Sequence, residues 1–164
     1  MNCYSFWHAF CILENRKNRN SNKTAVIYRD YEYSYNDIYN RVMLHTEQLI
    51  NLKSRNVGIF IQNSVNYVIA YFSITYLDRI VIPFDVNSRL EQILSTIAYC
   101  ELELVITDNH YFEYLSTVVQ EGKKRIVLYN LDYPEKCYIY EGNKEEKIWE
   151  KAIHMMRTVF LFWK

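Results

Sequence analysis

The sequence predicts a doubly wound α/β fold with a mainly parallel sheet, preceded by a helix and a β-hairpin. Three observations carry that expectation. Short, continuously apolar runs recur between residues 57 and 129, as expected of strands buried on both faces. The longer stretches between them place apolar residues at i, i+3, i+4 and i+7, the stripe of a helix packed on a sheet. Strands that alternate with helices pair in parallel through right-handed crossovers.

Element by element, Phe6, Phe10 and Leu13 have helical spacing, and the polar run from Glu14 to Lys23 reads as a solvated connector. Thr24–Tyr28 and Tyr31–Tyr35 flank Arg29-Asp30, a hairpin pattern. Ser34 followed by Asp37 is a capping signal for a helix that carries Ile38, Val42, Leu49 and Ile50 and should end near Lys53. Val57–Ile61 is a buried strand, and Asn63 or Ser64 caps the helix that follows, with Val65, Val68, Ile69, Phe72 and Tyr76. Ile80–Phe84 is the next strand, with a ladder expected to fray at Pro83. Leu90, Ile93, Leu94, Ile97 and Ala98 form a helical stripe, Glu103–Thr107 a strand, Tyr111–Gln120 a helix ended by Gly122, and Arg125–Tyr129 a strand. Beyond Tyr129 the pattern weakens. Cys137–Tyr140 is a short strand, Lys144–Met156 reads as a charged amphipathic helix, and Thr158–Phe162 is a strand-like run before Trp163-Lys164. The organisation is therefore a helix and connector over 1–22, an α/β core over 23–130 and a less regular segment over 131–164.

Composition narrows the chemistry. The 164 residues hold 19 Lys+Arg and 19 Asp+Glu, a zero balance that argues against a nucleic-acid partner. The 16 tyrosines read as packing residues, because no basic residues interleave with them as a stacking surface requires. The uncharged stretch from Asn56 to Leu77 is interrupted by Gln62, Asn63, Ser64 and Asn66, so a strand–turn–helix is expected rather than a membrane span. Cys3, Cys11, Cys100 and Cys137 are widely spaced without a secretory signal, which suits free thiols and a cytoplasmic location.

Ligands of open α/β sheets bind beyond the carboxyl ends of the strands. Gln62-Asn63, Asp85, Asp108-Asn109 and Asn130 stand there. Asp85 and Asp108 could pair around Mg²⁺, but capping of the following helices explains both and is the favoured reading. Cys3, His8 and Cys11 have zinc-like spacing without a fourth ligand, which only His45, Cys100 or His110 could supply, and core packing is favoured for them too. His154 has no nucleophile partner in the pattern. No glycine-rich phosphate loop, GxSxG or HExxH is present, so no catalytic, cofactor or metal residue is assigned.

Six segments in one order carry a resemblance: Lys23-Thr-Ala-Val-Ile27, Tyr33-Ser-Tyr-Asn-Asp-Ile38, Val57-Gly-Ile-Phe-Ile-Gln-Asn-Ser64, Tyr71-Phe72, Ile80-Val-Ile-Pro83 and Leu104-Val-Ile-Thr-Asp108. Together they resemble the opening of the adenylate-forming superfamily of acyl-CoA synthetases, nonribosomal peptide adenylation domains and luciferases. Two positions depart from it. Leu77-Asp78-Arg79 replaces a usual Ala-Gly pair, so that turn is expected to be built differently, and Asn56 replaces a common acidic residue.

In the family, a strand like Thr158–Phe162 leads into a Ser/Thr/Gly-rich loop ending in Pro-Lys-Gly that holds ATP phosphates. Trp163-Lys164 stands there instead. The resemblance thus implies a truncated N-terminal subdomain of an ATP- and Mg²⁺-dependent carboxylate-activating ligase, inactive alone and without a cofactor of its own. The alternatives are a non-catalytic interaction module and half of a split enzyme completed by a downstream-encoded partner chain. An unpaired terminal strand would also favour aggregation or oligomerisation.

Overall fold

A computed structural model describes residues 7–122, 124–141 and 144–148. Helix α1 (Trp7–Asn20) continues through most of the run expected to be a connector, because its polar residues simply face water. Strands β1 (Thr24–Tyr28) and β2 (Tyr31–Ser34) pair antiparallel, with Tyr28 opposite Tyr31 across the Arg29-Asp30 turn. Arg29 takes the positive φ, 54°, that this tight turn demands.

Helix α2 (Tyr35–Leu49) opens on a full capping box. The Asp37 N–H donates to Ser34 Oγ at 3.1 Å, and the Ser34 N–H donates to Asp37 Oδ2 at 2.9 Å. The helix stops at Leu49, short of the expected Lys53, where the Ile50 N–H makes the closing bond to the Thr46 carbonyl.

The main sheet has six strands in the order β4-β3-β5-β6-β7-β8. Strands β3 (Asn56–Phe60), β4 (Ile80–Pro83), β5 (Leu104–Thr107) and β6 (Arg125–Asn130) are parallel neighbours, as the alternating pattern predicts. Helices α3 (Val65–Tyr76), α4 (Leu90–Tyr99) and α5 (Phe112–Glu121) make the crossovers. Side chains alternate strictly across the sheet. Val57, Ile59, Leu104, Ile106, Val127 and Tyr129 pack with residues of α1, α2 and α3. Phe60, Val105, Ile126 and Leu128 face the other way, toward Ile93 and Ile97 of α4 and Leu115, Val118 and Val119 of α5. The result is three layers with a core on each side of the sheet.

Two departures from the sequence reading have clear causes. The charged segment from Lys144 is not helical at its start: β8 (Lys144–Lys147) pairs antiparallel with β7 (Cys137–Glu141), which itself pairs antiparallel with β6. Its helix-forming Glu and Lys side chains remain exposed, and the open edge of β7 decides its conformation. The rest of the expected helix, with His154, and the Thr158–Phe162 run lie outside the described residues.

The Leu77-Asp78-Arg79 turn follows the usual backbone route with an unusual residue. Asp78 adopts φ 55°, its N–H donates to the Thr75 carbonyl at 3.1 Å, and the Arg79 N–H donates to the Ile74 carbonyl at 3.3 Å. That is a Schellman closure with Asp in the left-handed position that favours Gly. Helix α4 ends identically: Glu101 has φ 51°, its N–H meets Ala98 O, and the Leu102 N–H meets Ile97 O.

Candidate functional site

The strand order locates a switch point. From β3 the chain moves outward through α3 to β4, then crosses back through α4 to β5 and on through α5 to β6. The crossovers leave β3 and β5 in opposite directions and on opposite faces, so the carboxyl ends of these two strands bound the crevice where open α/β sheets bind ligands.

A polar cleft of about 440 Å³ opens there. Gln62, Ser64 and Asn66 line it from the β3–α3 junction, and Asp108 and His110 from the end of β5. Asp132 closes it below, while Tyr28, Arg29, Tyr33 and Arg41 overhang it from the hairpin and α2. The two cations are held by stacking. The Arg29 guanidinium lies 5.2 Å from the centre of the Tyr28 ring, and that of Arg41 lies 5.2 Å from the Tyr33 ring.

The carboxylates are already engaged. Asp132 accepts from Asn66 Nδ2 at 2.7 Å through one oxygen and from the Asn109 N–H at 2.9 Å through the other. Asp108 Oδ1 accepts the N–H groups of His110 and Tyr111 at 3.1 and 3.2 Å. Burial pushes the Asp108 carboxyl above its ordinary value, partly offset by the Tyr111 N–H. Asn130, fully buried, accepts the N–H groups of Asp132 and Tyr133 through Oδ1 at 3.0 and 3.2 Å. Asp85 accepts from the N–H and Nδ2 of Asn87 at 2.9 and 3.1 Å. The polar residues at the strand ends therefore brace the turns that follow them and do not cap the helices, the role the sequence predicts for them; α4 and α5 open at Arg89 and Tyr111.

The structure does not bring Asp85 and Asp108 together. Strand β3 lies between their strands, and Asp85 borders a different hollow of about 260 Å³ beside Asn63 and Tyr67. Among the described residues no three His, Cys, Asp or Glu side chains cluster as a metal site, and one oxygen each of Asp85 and Asp108 is engaged in its own turn. Of the zinc-like set, Cys3 and the side chain of His8 lie outside what is described, and Cys11 is a half-buried free thiol on α1. Cys100 is likewise a half-buried free thiol, and its carbonyl accepts Asn56 Nδ2 at 2.8 Å. His110 is exposed, with its ring edge-on to Tyr111.

Sequence reasoning missed the Arg29–Arg41 pair and the buried His45–Tyr129 contact beneath the cleft, 2.7 Å between Nδ1 and the hydroxyl. A signal for His45 existed: Ile38, Val42, His45 and Leu49 share the core face of α2. No helix among the described residues is long and apolar enough to cross a membrane.

This three-layer architecture is that of the N-terminal subdomain of adenylate-forming enzymes. Residues 13–161 match the AMP-binding enzyme family, and the chain belongs to it. It is 23% identical over 146 residues to 4-hydroxybutyrate–CoA ligase 2 of Metallosphaera sedula, covering 87% of this chain and 26% of that enzyme. The chain thus spans about a quarter of that relative's length. Among solved structures it is similar to the anthranilate CoA ligase AuaEII in complex with anthranoyl-AMP, with TM-score 0.62 and 21% identity over 68% of this chain and 22% of that one. It is also similar to the Bacillus subtilis O-succinylbenzoate CoA synthetase MenE in complex with ATP and magnesium ion, with TM-score 0.65 and 16% identity over 76% and 33% of the two chains.

Proposed function

We propose that this chain is the N-terminal part of an ATP-dependent carboxylate-activating ligase, and that it contributes scaffold rather than catalytic groups. In the complete reaction a carboxylate oxygen attacks the α-phosphate of ATP and pyrophosphate leaves; a thiol then attacks the acyl carbon of the adenylate, forming a thioester and releasing AMP. Positioning and charge stabilisation carry such chemistry. The observation that carries the reading is the family match over residues 13–161. The relatives' names support acid–thiol ligation, since each is a CoA ligase or synthetase.

The sheet edge supports the need for more protein. Among the described residues β4 has one neighbour, β3, and Ile80, Val81 and Ile82 are only half-buried. A bare apolar edge of a parallel sheet calls for a covering element, and the remainder of the adenylating domain, on this chain or a partner, would supply it. The test is to read the DNA following the Lys164 codon in all three frames and to express the chain with what it encodes. A Ser/Thr/Gly-rich segment ending in Pro-Lys-Gly, with carboxylate-dependent exchange of pyrophosphate into ATP, is expected. No such segment in any frame would contradict the reading.

A further inference from the structure

We propose that the cleft at the β3/β5 switch point is a binding site for a small phosphomonoester, held by the guanidiniums of Arg29 and Arg41. The first argument is the state of these cations. Each stacks its face on a tyrosine ring, and neither makes a hydrogen bond or ion pair with any described residue. Stacking uses the face of a guanidinium and leaves its edge donors, a rigid fork suited to a phosphate, pointing free.

Charge balance is the second argument. Asp108 and Asp132 border the same cleft, but both oxygens of Asp132 and Oδ1 of Asp108 accept from Asn66 and backbone N–H groups, and neither carboxylate is hydrogen-bonded to an arginine. Arg41 lies near Asp37 of its own helix, whose carboxylate is held by Ser34. On the opposite wall the Ser64 hydroxyl is buried without a hydrogen-bond partner, and no side chain caps α3. The Ser64 hydroxyl lies beneath the surface, and the donors this wall offers an anion facing the arginines are the backbone N–H groups that open α3. The third argument is place: the cleft occupies the switch point of the sheet, and at about 440 Å³ it admits a phosphate with a small organic group attached.

Because the two arginines supply the positive charge, binding should not need Mg²⁺, which separates this ligand from metal-bound ATP. The proposal is independent of the adenylation reading and can fail without it.

The experiment titrates the 164-residue chain with ribose 5-phosphate and with inorganic phosphate at constant ionic strength, following backbone amide shifts. Saturable shifts at Val65, Asn66 and Tyr67, unchanged by EDTA and tighter for the phosphomonoester, are expected. Arg41→Gln and Arg29→Gln should each weaken binding about tenfold, the scale of one charge-assisted contact. Arg55→Gln, at the opposite end of the sheet, should leave it unchanged. The melting temperature of each variant reports that it is folded. Absence of saturation overturns the proposal, as does equal weakening by Arg55→Gln or no weakening by Arg41→Gln in a folded variant.

Discussion

His45 and Tyr129, 84 residues apart in sequence, meet in the core with Nδ1 and hydroxyl 2.7 Å apart and their rings edge to face. The pair ties α2 to β6, where the parallel part of the sheet meets its antiparallel strands, and satisfies two polar groups that burial would otherwise leave without water. Burial, reinforced by Arg41, lowers the His45 pKa from 6.5 to about 4, and Asp132 offsets only part of this. Folded protein therefore keeps the ring neutral over a range where the unfolded chain binds a proton.

The sign of the resulting pH dependence follows. Stability from His45 is complete above pH 6.5, falls as the unfolded chain protonates, and is lost by about pH 4. The full span is worth about 3 kcal/mol. The difference in unfolding free energy between the native chain and His45→Gln, followed by urea melts from pH 7 to pH 4, should shrink by about that amount. A difference that stays constant with pH would contradict a neutral buried imidazole.

The left-handed residues that close α3 and α4 predict gains from glycine. Asp78 and Glu101 carry side chains at φ 55° and 51°, where a Cβ crowds the backbone. Asp78→Gly and Glu101→Gly should each stabilise the chain by about 0.5–1 kcal/mol, and both together by about the sum, because they close different helices. Thermal unfolding of the two single variants and the double variant checks this.

Gly58 sits at the centre of β3 for lack of space rather than for backbone freedom. A Cβ there would lie 2.7 Å from Phe84 Cε2, 3.1 Å from Val105 Cγ2 and 3.2 Å from Leu102 Cδ1. Gly58→Ala forces the half-buried Phe84 ring to move and the fully buried Val105 and Leu102 side chains to give by a few tenths of an ångström, and Gly58→Val adds two methyl groups to the same crowded space. Gly58→Val should cost about 1–3 kcal/mol and Gly58→Ala less, measured by chemical denaturation.

How much of this was legible in the sequence depends on the range of the interaction that decides each element. The parallel strands were readable because Val57–Phe60, Leu104–Thr107 and Arg125–Asn130 are buried on both faces and so are apolar almost throughout. The start of α2 was readable because Ser34 and Asp37 bond each other locally. Lys144–Lys147 was misread because its local preference for helix is overruled by pairing with β7. At the candidate site, the sequence placed Asp85, Asp108 and Asn130 at the strand ends but predicted helix caps, whereas they brace the turns that follow, and the helices open at Arg89 and Tyr111 instead. The arginine cleft was not, since only the hairpin's docking beside α2 and the switch point brings Arg29, Arg41 and Ser64 to one hollow. No spacing in the chain encodes that meeting.

The capping box offers a local test. The Ser34 hydroxyl and then its backbone N–H hold the Asp37 carboxyl below its ordinary value. Ser34→Ala should cost about 1 kcal/mol at neutral pH, and the cost should fall only in part as Asp37 protonates in acid. The bond from the Asp37 N–H to Ser34 Oγ does not titrate, while that from Ser34 Oγ to the carboxylate does. Equal costs at neutral and acidic pH would mean that the contact of the Ser34 hydroxyl with the Asp37 carboxylate contributes little.

The most direct measurement is carboxylate-dependent exchange of labelled pyrophosphate into ATP by the purified 164-residue chain. Exchange requires groups that hold the triphosphate and its metal, and the strand-end carboxylates here are committed to bracing turns. The account predicts no exchange above background with any carboxylic acid in a broad panel. Exchange that depends on a carboxylate and co-purifies with this chain would contradict the claim that it supplies scaffold rather than catalytic groups.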